Sequence, residues 1–277
     1  MNPDKLDEII EAALKEDLPE GDITSESVVP PDSVSAAVIL AKQAGILAGI
    51  GVAGRVFRKI DPKVRFEKIL EDGRAFKPGD ILAKINGNSI SLLNGERTAL
   101  NFLQRMSGIA TKTARFVQAV RGTRTKILDT RKTTPTLRFL EKYAVKMGGG
   151  ENHRFNLSDM ILIKDNHLRL VGSIAEAVRR AKIKAKPGVK IEVEVTNFAE
   201  AKEAVQAGAS MIMLDNMSLK KMSEVARWVK GKVPVEVSGK VSLRRARQIA
   251  SLGVDYISVG SLTHSFDSVD ISIEFME

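Results

Sequence analysis

In the second half of the chain, ionisable side chains recur where short apolar runs end. KILDT (126–130) leads through Asp129 and Thr130 into Arg131 and Lys132. MILIK (160–164) ends in Lys164 and continues into Asp165, Asn166 and His167, and KIEVEV (190–195) carries Glu192 and Glu194. MIMLD (211–215) ends in Asp215, VPVEV (233–237) carries Glu236 and runs into Ser238, Gly239 and Lys240, and DYISV (255–259) runs into Gly260 and Ser261. Two cations directly after a strand suit an anion. The guanidinium of Arg131 offers a planar two-point match to a carboxylate or phosphate, and the Lys132 ammonium a point charge. A surface loop that happens to be basic has the same composition. Along 191–195 the side chains alternate, so Ile191, Val193 and Val195 share one face and Glu192 and Glu194 the other. Carboxylates turned into a closed interior require cationic partners or a wet site, because an unpaired buried charge is costly. An edge strand with one wet face accounts for the same spacing.

Two further stretches carry candidate chemistry. GGGENHRF (148–155) sets His153 and Arg154 behind three glycines, a composition suited to a pliant lid over an anion or to a plain flexible turn. Ser238-Gly239 and Gly260-Ser261 follow the last two apolar runs, where backbone N–H groups can cradle a phosphate and glycine allows close approach. His167 has the simple alternative of capping the turn that follows it, and His264 is either a phosphate donor or a surface residue. The chain has no Cys, no HExxH and no close His pair, which argues against a structural zinc site or a thiol nucleophile. It has no P-loop and no Gly-x-Ser-x-Gly elbow.

The elements that must position these residues follow from periodicity. From Thr125 on, six short strands alternate with helices expected near 136–146, 173–185, 198–207, 218–230 and 242–252. This repetition argues for parallel strands, in a doubly wound sheet or a barrel. Eight strands close a standard barrel, and six favour an incomplete one. The first hundred residues read differently: a helix over 3–17, a break at LPEGDIT, strand candidates at 33–42, 45–50, 64–70 and 81–85, and a helix over 52–60. A long helical region follows, 92–106 and 109–121, split at Ser107-Gly108. The tail VDISIEF (269–275) reads as one more strand, able to return to the N-terminal sheet.

Composition bounds the function. The 277 residues carry 43 Lys+Arg against 34 Asp+Glu, a net charge of +9, so anions are favoured near the surface. Aromatic residues are only 5% and there is no run of five like charges, which disfavours nucleic acid as a partner. MNPDKLDEII lacks the basic-then-apolar order of a signal peptide, and 44–54, the longest weakly polar run, is too short to span a bilayer. The expectation is a cytoplasmic protein without membrane or nucleic-acid partners.

These residues together resemble the quinolinate phosphoribosyltransferase family (nicotinate-nucleotide pyrophosphorylase, carboxylating). The likeness runs through EDLPEGDIT (16–24), LNGERTALNFLQRMSGIAT (93–111), DTRKTTP (129–135), GGGENHRFNLSDMILIKDNH (148–167), EVEV (192–195), MLDN (213–216), EVSGKV (236–241) and SVGSLTHS (258–265). The resemblance implies an N-terminal α/β sandwich over 1–108, completed by the tail 267–277, and an open α/β barrel over 109–266. It implies a homodimer, or a higher oligomer, with an active site shared across subunits. The implied reaction joins quinolinate to 5-phosphoribosyl-1-pyrophosphate with Mg²⁺, giving nicotinate mononucleotide, pyrophosphate and CO₂ in de novo NAD synthesis. Carried over by position, Arg131, Arg154 and Lys164 bind the quinolinate carboxylates, with His153 nearby and Arg97 reaching in from the partner subunit. Lys132 and Lys164 face the pyrophosphate. Glu194 and Asp215 lie by the ribose hydroxyls and Mg²⁺; Ser238, Gly239, Gly260 and His264 hold the 5-phosphate. Lys132, Lys164, Glu194 and Asp215 form the catalytic set. The family's second glycine after the serine is replaced here by Lys240. Two other readings predict different behaviour: a relative using nicotinate or serving molybdenum metabolism would release no CO₂ from quinolinate, and a basic RNA-binding protein would retain RNA in a salt-sensitive way.

Overall fold

Short apolar runs become strands and amphipathic stretches become helices along the whole chain. The computed structural model describes residues 3–276; Met1, Asn2 and Glu277, at the extremes of the expected domain ranges, lie outside the described residues. In chain order the first half holds α1 (Pro3–Asp17), α2 (Ile23–Val28), β1 (Val34–Ala41), β2 (Gly45–Ile46), α3 (Ile50–Ile60), β3 (Arg65–Lys68), β4 (Ala75–Phe76), β5 (Ile81–Asn88) and α4 (Ser89–Ala119). Then come β6 (Lys126–Leu128), α5 (Arg138–Met147), β7 (Ile161–Ile163), α6 (Asp165–Val171), α7 (Ile174–Lys184), β8 (Ile191–Val195) and α8 (Phe198–Ala207). The last are β9 (Met211–Asp215), α9 (Leu219–Val229), β10 (Val235–Ser238), α10 (Leu243–Ala250), β11 (Tyr256–Ser258), α11 (Ser261–His264) and β12 (Ile271–Phe275). Two compact units divide them. One takes the residues up to Ala114, Thr133–Gly149 and the stretch from Thr263 on; the other takes Arg115–Lys132 and Gly150–Leu262.

The first unit is built on an antiparallel sheet of order β12-β1-β5-β3. The tail does return to it: β12 pairs with β1 from Ala41↔Ile271 to Ala37↔Phe275. Helix α3 buries Val52, Val56 and Phe57, and Phe57 stacks on Phe66 of β3. One expectation is corrected here. The helical region over 92–121 is not split at Ser107-Gly108, because α4 runs unbroken from Ser89 to Ala119. Gly108 is a packing contact: a Cβ there would lie 2.2 Å from the Asp267 carbonyl oxygen. The Ser107 hydroxyl meanwhile accepts the Ala48 N–H at 3.1 Å. The break at LPEGDIT is followed at once by a short helix, α2, whose first turn is capped by the Asp22 carboxylate on the Thr24 and Ser25 N–H groups.

The second unit holds six strands, all parallel, in the order β6-β11-β10-β9-β8-β7. β6 and β7 stand at its two edges, so the sheet is an open barrel of six strands. Ile191, Val193 and Val195 are buried on the helix side of β8, each such side chain contributing about 1.5–3 kcal/mol. Three βα connections are short and end in a capped helix. Asn197 accepts from the Glu200 N–H, Ser218 from Lys221 and Ser242 from Arg245, each cap stabilising its helix start by about 1 kcal/mol. These caps set the lengths and exits of the loops after β8, β9 and β10. Among the described residues no helix is long and apolar enough to cross a membrane.

Candidate active site

Apart from Arg97 and His264, the groups singled out in the sequence lie on the barrel strands and the loops that follow them, where polar atoms can face a ligand. In a parallel ladder, residues in register point to the same face. Glu194 on β8 is level with Met213 on β9, and Asp215 with Ser238 on β10. Glu194, Asp215 and Ser238 therefore line one continuous inner rim. Lys164, directly after β7, places its Nζ 3.4 Å from Glu194 Oε2. Burial raises the Glu194 pKa, the Lys164 ammonium opposes that, and the nearby Asp215 charge adds to it. The inward carboxylates of β8 thus both have partners, Glu194 the Lys164 ammonium and Glu192 the His153 imidazole.

Arg131 and Lys132 leave the end of β6 in the turn closed by the Lys132 N–H on the Thr130 hydroxyl, 3.0 Å. Both are exposed. Arg154 is partly buried, which lowers its pKa, and the like charge of Arg131 lowers it further. Two guanidiniums placed within each other's field favour an anion between them. His167 caps the turn before it and not the one that follows: its Nδ1 accepts the Lys164 N–H at 2.9 Å, at the start of α6. That bond fixes the backbone from which Lys164 projects.

Behind Gly148–Gly150 the chain is pinned, which corrects the pliant lid. A Cβ on Gly148 would lie 2.3 Å from the Ala110 carbonyl oxygen. Glu151 bridges the edge of β6 at Leu128, with its N–H on Ile127 and its carbonyl on Asp129. His153 then turns inward. Its N–H is held by Asp129 at 2.9 Å, and its Nε2 lies 3.2 Å from Glu192 and 3.4 Å from Glu236. Its Nδ1 accepts the Arg154 N–H at 2.7 Å. Glu236 as a partner of His153 was missed in the sequence; its place at the inward, even positions of VEVS was the available signal.

His153 and Glu192 share a proton beside Glu236. Burial works against a charged His153, but bonding to the two carboxylates outweighs it and pushes the pKa up to about 9. Burial and the Glu236 charge push Glu192 up to about 7. An imidazolium with two carboxylates and a neutral imidazole with one carboxylate and one carboxylic acid carry the same net charge. The Arg154 N–H directed at Nδ1 selects the second arrangement, so the proton belongs to the cluster. The folded state holds this proton above the ordinary His value of 6.5. Its stabilisation is complete below pH 6.5 and is lost as pH rises through about 9. We expect Tm to fall by a few degrees between these limits, on the order of 2 kcal/mol, and the slope to flatten in His153→Gln, measured by calorimetry across that range.

At the end of β10, Gly239 has φ 114°, and a Cβ there would lie 2.4 Å from Asn216 Oδ1. Asn216, itself at φ 49°, donates from Nδ2 to Asp215 Oδ2 at 2.8 Å and from its backbone N–H to the Ser238 carbonyl. Gly239→Ala is expected to cost about 2 kcal/mol in a denaturant melt and to disturb Asp215 through Asn216. Gly260 ends the loop after β11, partly buried. Arg97 on α4 and His264 on α11 are exposed and belong to the first unit, not to the unit that holds the barrel. His264 Nδ1 lies 2.7 Å from the Ser265 hydroxyl.

Two sets of donors have a cation's chemistry. The ligand atoms of His153, Glu192 and Glu236 lie within 4.8 Å of one another, but inside the barrel and around the imidazole. Glu194 and Asp215 offer oxygen alone at the rim, and Asp215 gives only one oxygen to Asn216. Mg²⁺ prefers oxygen, keeps several waters and takes one or two carboxylates beside substrate phosphates, so the rim pair fits it.

Models of two domains cover the chain almost end to end: quinolinate phosphoribosyl transferase, N-terminal domain, over residues 22–107, and C-terminal domain, over 109–274. The chain belongs to the quinolinate phosphoribosyltransferase family. It is 42% identical over 274 residues to the probable nicotinate-nucleotide pyrophosphorylase [carboxylating] of Bacillus subtilis, covering 99% of this chain and 94% of that one. The corresponding Archaeoglobus fulgidus protein is 41% identical over 267 residues, 94% of this chain and all of its own. The crystal structure of NadC from Streptococcus pyogenes superposes with a TM-score of 0.96 at 42% identity, covering 100% and 99% of the two chains. Human nicotinic acid phosphoribosyltransferase, 11% identical with a TM-score of 0.66, shares the fold alone; it covers 92% of this chain and 72% of its own.

Proposed function

We propose that this chain transfers the phosphoribosyl group of 5-phosphoribosyl-1-pyrophosphate to quinolinate, releasing pyrophosphate and CO₂ and forming nicotinate mononucleotide for NAD synthesis. The observation that carries this reading is the sorting of charge at the barrel mouth. Arg131 and Arg154 stand within each other's field on one side, and Lys164, Glu194 and Asp215 are coupled on the other. A dianionic ring explains the guanidiniums; an activated sugar explains the carboxylates.

Arg131, Arg154 and Lys164 would grip the two carboxylates and orient the ring nitrogen toward C1′. Lys132 and Lys164 would face the pyrophosphate. As the C1′–O bond to pyrophosphate breaks, positive character builds on the sugar, and Glu194 and Asp215 are placed to stabilise it. The ring nitrogen then bonds to C1′. The resulting pyridinium accepts the electron pair of the C2–carboxylate bond as CO₂ departs, and a proton takes its place. Glu194 and Asp215 would also hold Mg²⁺, which when bound supplies positive charge against the leaving pyrophosphate. Ser238, Gly239 and Gly260 would receive the 5-phosphate, with Lys240 adding a cation beside them and His264 a further donor.

The same proposal makes the enzyme a cytoplasmic homodimer whose Arg97 completes the partner's quinolinate site. What supports this is the family resemblance and the exposed position of Arg97 on α4. The test is incubation with carboxyl-labelled quinolinate, phosphoribosyl pyrophosphate and Mg²⁺, followed by product chromatography and mass spectrometry of the released gas. Mononucleotide with stoichiometric labelled CO₂ supports the reading; transfer to nicotinate alone, without CO₂, rejects it.

A further inference from the structure

Two glutamates inside the barrel have no part in the chemistry just described. Glu192 on β8 and Glu236 on β10 are fully buried, on either side of β9. Both approach the same atom, His153 Nε2, at 3.2 and 3.4 Å. Glu192 Oε1 and both oxygens of Glu236 are buried without a hydrogen-bond partner among the described residues. Such groups are costly to bury, and apolar side chains fill the same face at lower cost: Met211 and Met213, their register neighbours on β9, do so.

What the two carboxylates accomplish is visible on the other side of the imidazole. Nδ1 of His153 accepts the backbone N–H of Arg154 at 2.7 Å, and Asp129 holds the His153 N–H at 2.9 Å. The guanidinium of Arg154 is in turn fixed by Nη1 donating to the Met160 carbonyl at 3.0 Å. The ring is therefore held between the barrel interior and the backbone from which Arg154 emerges. We infer that Glu192 and Glu236 are positioning residues for the anion grip: by seating the His153 ring they fix the backbone that carries Arg154. The inference rests on the reading of Arg154 as a quinolinate ligand. A misplacement of about 1 Å in such a ligand is enough to cost a large part of the rate.

The test compares the wild-type enzyme with Glu236→Leu, Glu236→Gln and His153→Phe, each alone and combined with Arg154→Lys, in steady-state kinetics with both substrates varied. Glu236→Leu removes the carboxylate 3.4 Å from Nε2, and we expect KM for quinolinate to rise about tenfold while KM for phosphoribosyl pyrophosphate stays within about twofold. Glu236→Gln keeps the shape and a polar oxygen beside Nε2 and should restore most of the loss. His153→Phe fills the ring's volume without either nitrogen and should reproduce the split should Glu236→Leu not fold. In the Arg154→Lys background the Leu substitution should add little, because its effect runs through Arg154.

A parallel rise in both KM values, or losses that add in the double variant, would overturn the assignment in favour of a general structural role. One equivalent of transition metal copurifying with the wild type and absent from Glu236→Leu would overturn it in favour of a metal centre. An active wild type with unaffected variants sinks the positioning role alone; a wild type that makes no mononucleotide removes the activity on which it rests.

Discussion

Arg131→Ala is expected to lower kcat/KM for quinolinate about a thousandfold, with KM raised and kcat cut. Arg131 leaves the end of β6 and stands close enough to Arg154 for their like charges to interact. A dianion bound between them relieves that repulsion and loses its own water in exchange. Removing one guanidinium leaves a carboxylate desolvated and half paired, a loss on the order of 4 kcal/mol, and each 1.4 kcal/mol is roughly tenfold. The loss should fall on kcat as well as KM because, in the proposed reaction, the same grip would aim the ring nitrogen at C1′. Arg131→Lys keeps the charge but not the planar fork, and should recover only part of the activity. KM for phosphoribosyl pyrophosphate should change least. Initial rates across a grid of both substrates measure all of this, and near-normal constants for the Ala variant would show that the anion is gripped elsewhere.

The sequence was most legible where local pattern and tertiary role coincide. All six barrel strands sit at the expected apolar runs, because each must be apolar on its helix side and polar at its exit. The alternation in 191–195 correctly turned Glu192 and Glu194 to one face, since a period of two leaves no other choice. The tail was readable as a strand because VDISIEF has strand composition, and it pairs with β1.

What was not legible depends on contacts between distant residues. Gly108 looks like a helix break until the Asp267 carbonyl is known to press on it. The glycines of 148–150 look pliant until α4 is found against Gly148. α6 and α11, of seven and four residues, are too short to show a helical period. The direction of His153 was hidden for the same reason. Its spacing from Arg154 says nothing of Glu236, 83 positions away in the chain and brought near only by the order of the strands. Local composition identified which residues carry charge; the strand order decided which charges meet.

Glu194→Gln is expected to reduce kcat by two to three orders of magnitude while leaving KM for quinolinate within about threefold, the scale of a fixed charge or donor aimed at a developing one. The substitution preserves shape and most hydrogen bonding and removes only the negative charge. In the ground state that charge is matched by Lys164 at 3.4 Å, so little binding energy is at stake. In the transition state of the proposed reaction the departing pyrophosphate would draw on Lys164 as the sugar turns cationic, and the Glu194 charge would matter most at that moment. Burial raises its carboxyl pKa, so the acid limb of the kcat profile should be displaced upward from the ordinary glutamate value. Activity should rise with pH as Glu194 ionises, and that limb should disappear in the Gln variant. Asp215→Asn should act on the same step, since its charge is felt at Glu194. If both carboxylates serve one cationic centre, the double variant should lose less than the product of the single losses. Independent, fully multiplicative losses would mean that one of them works on a different step, and Asp215, tied to Asn216 beside the loop after β10, would be the one to reassign.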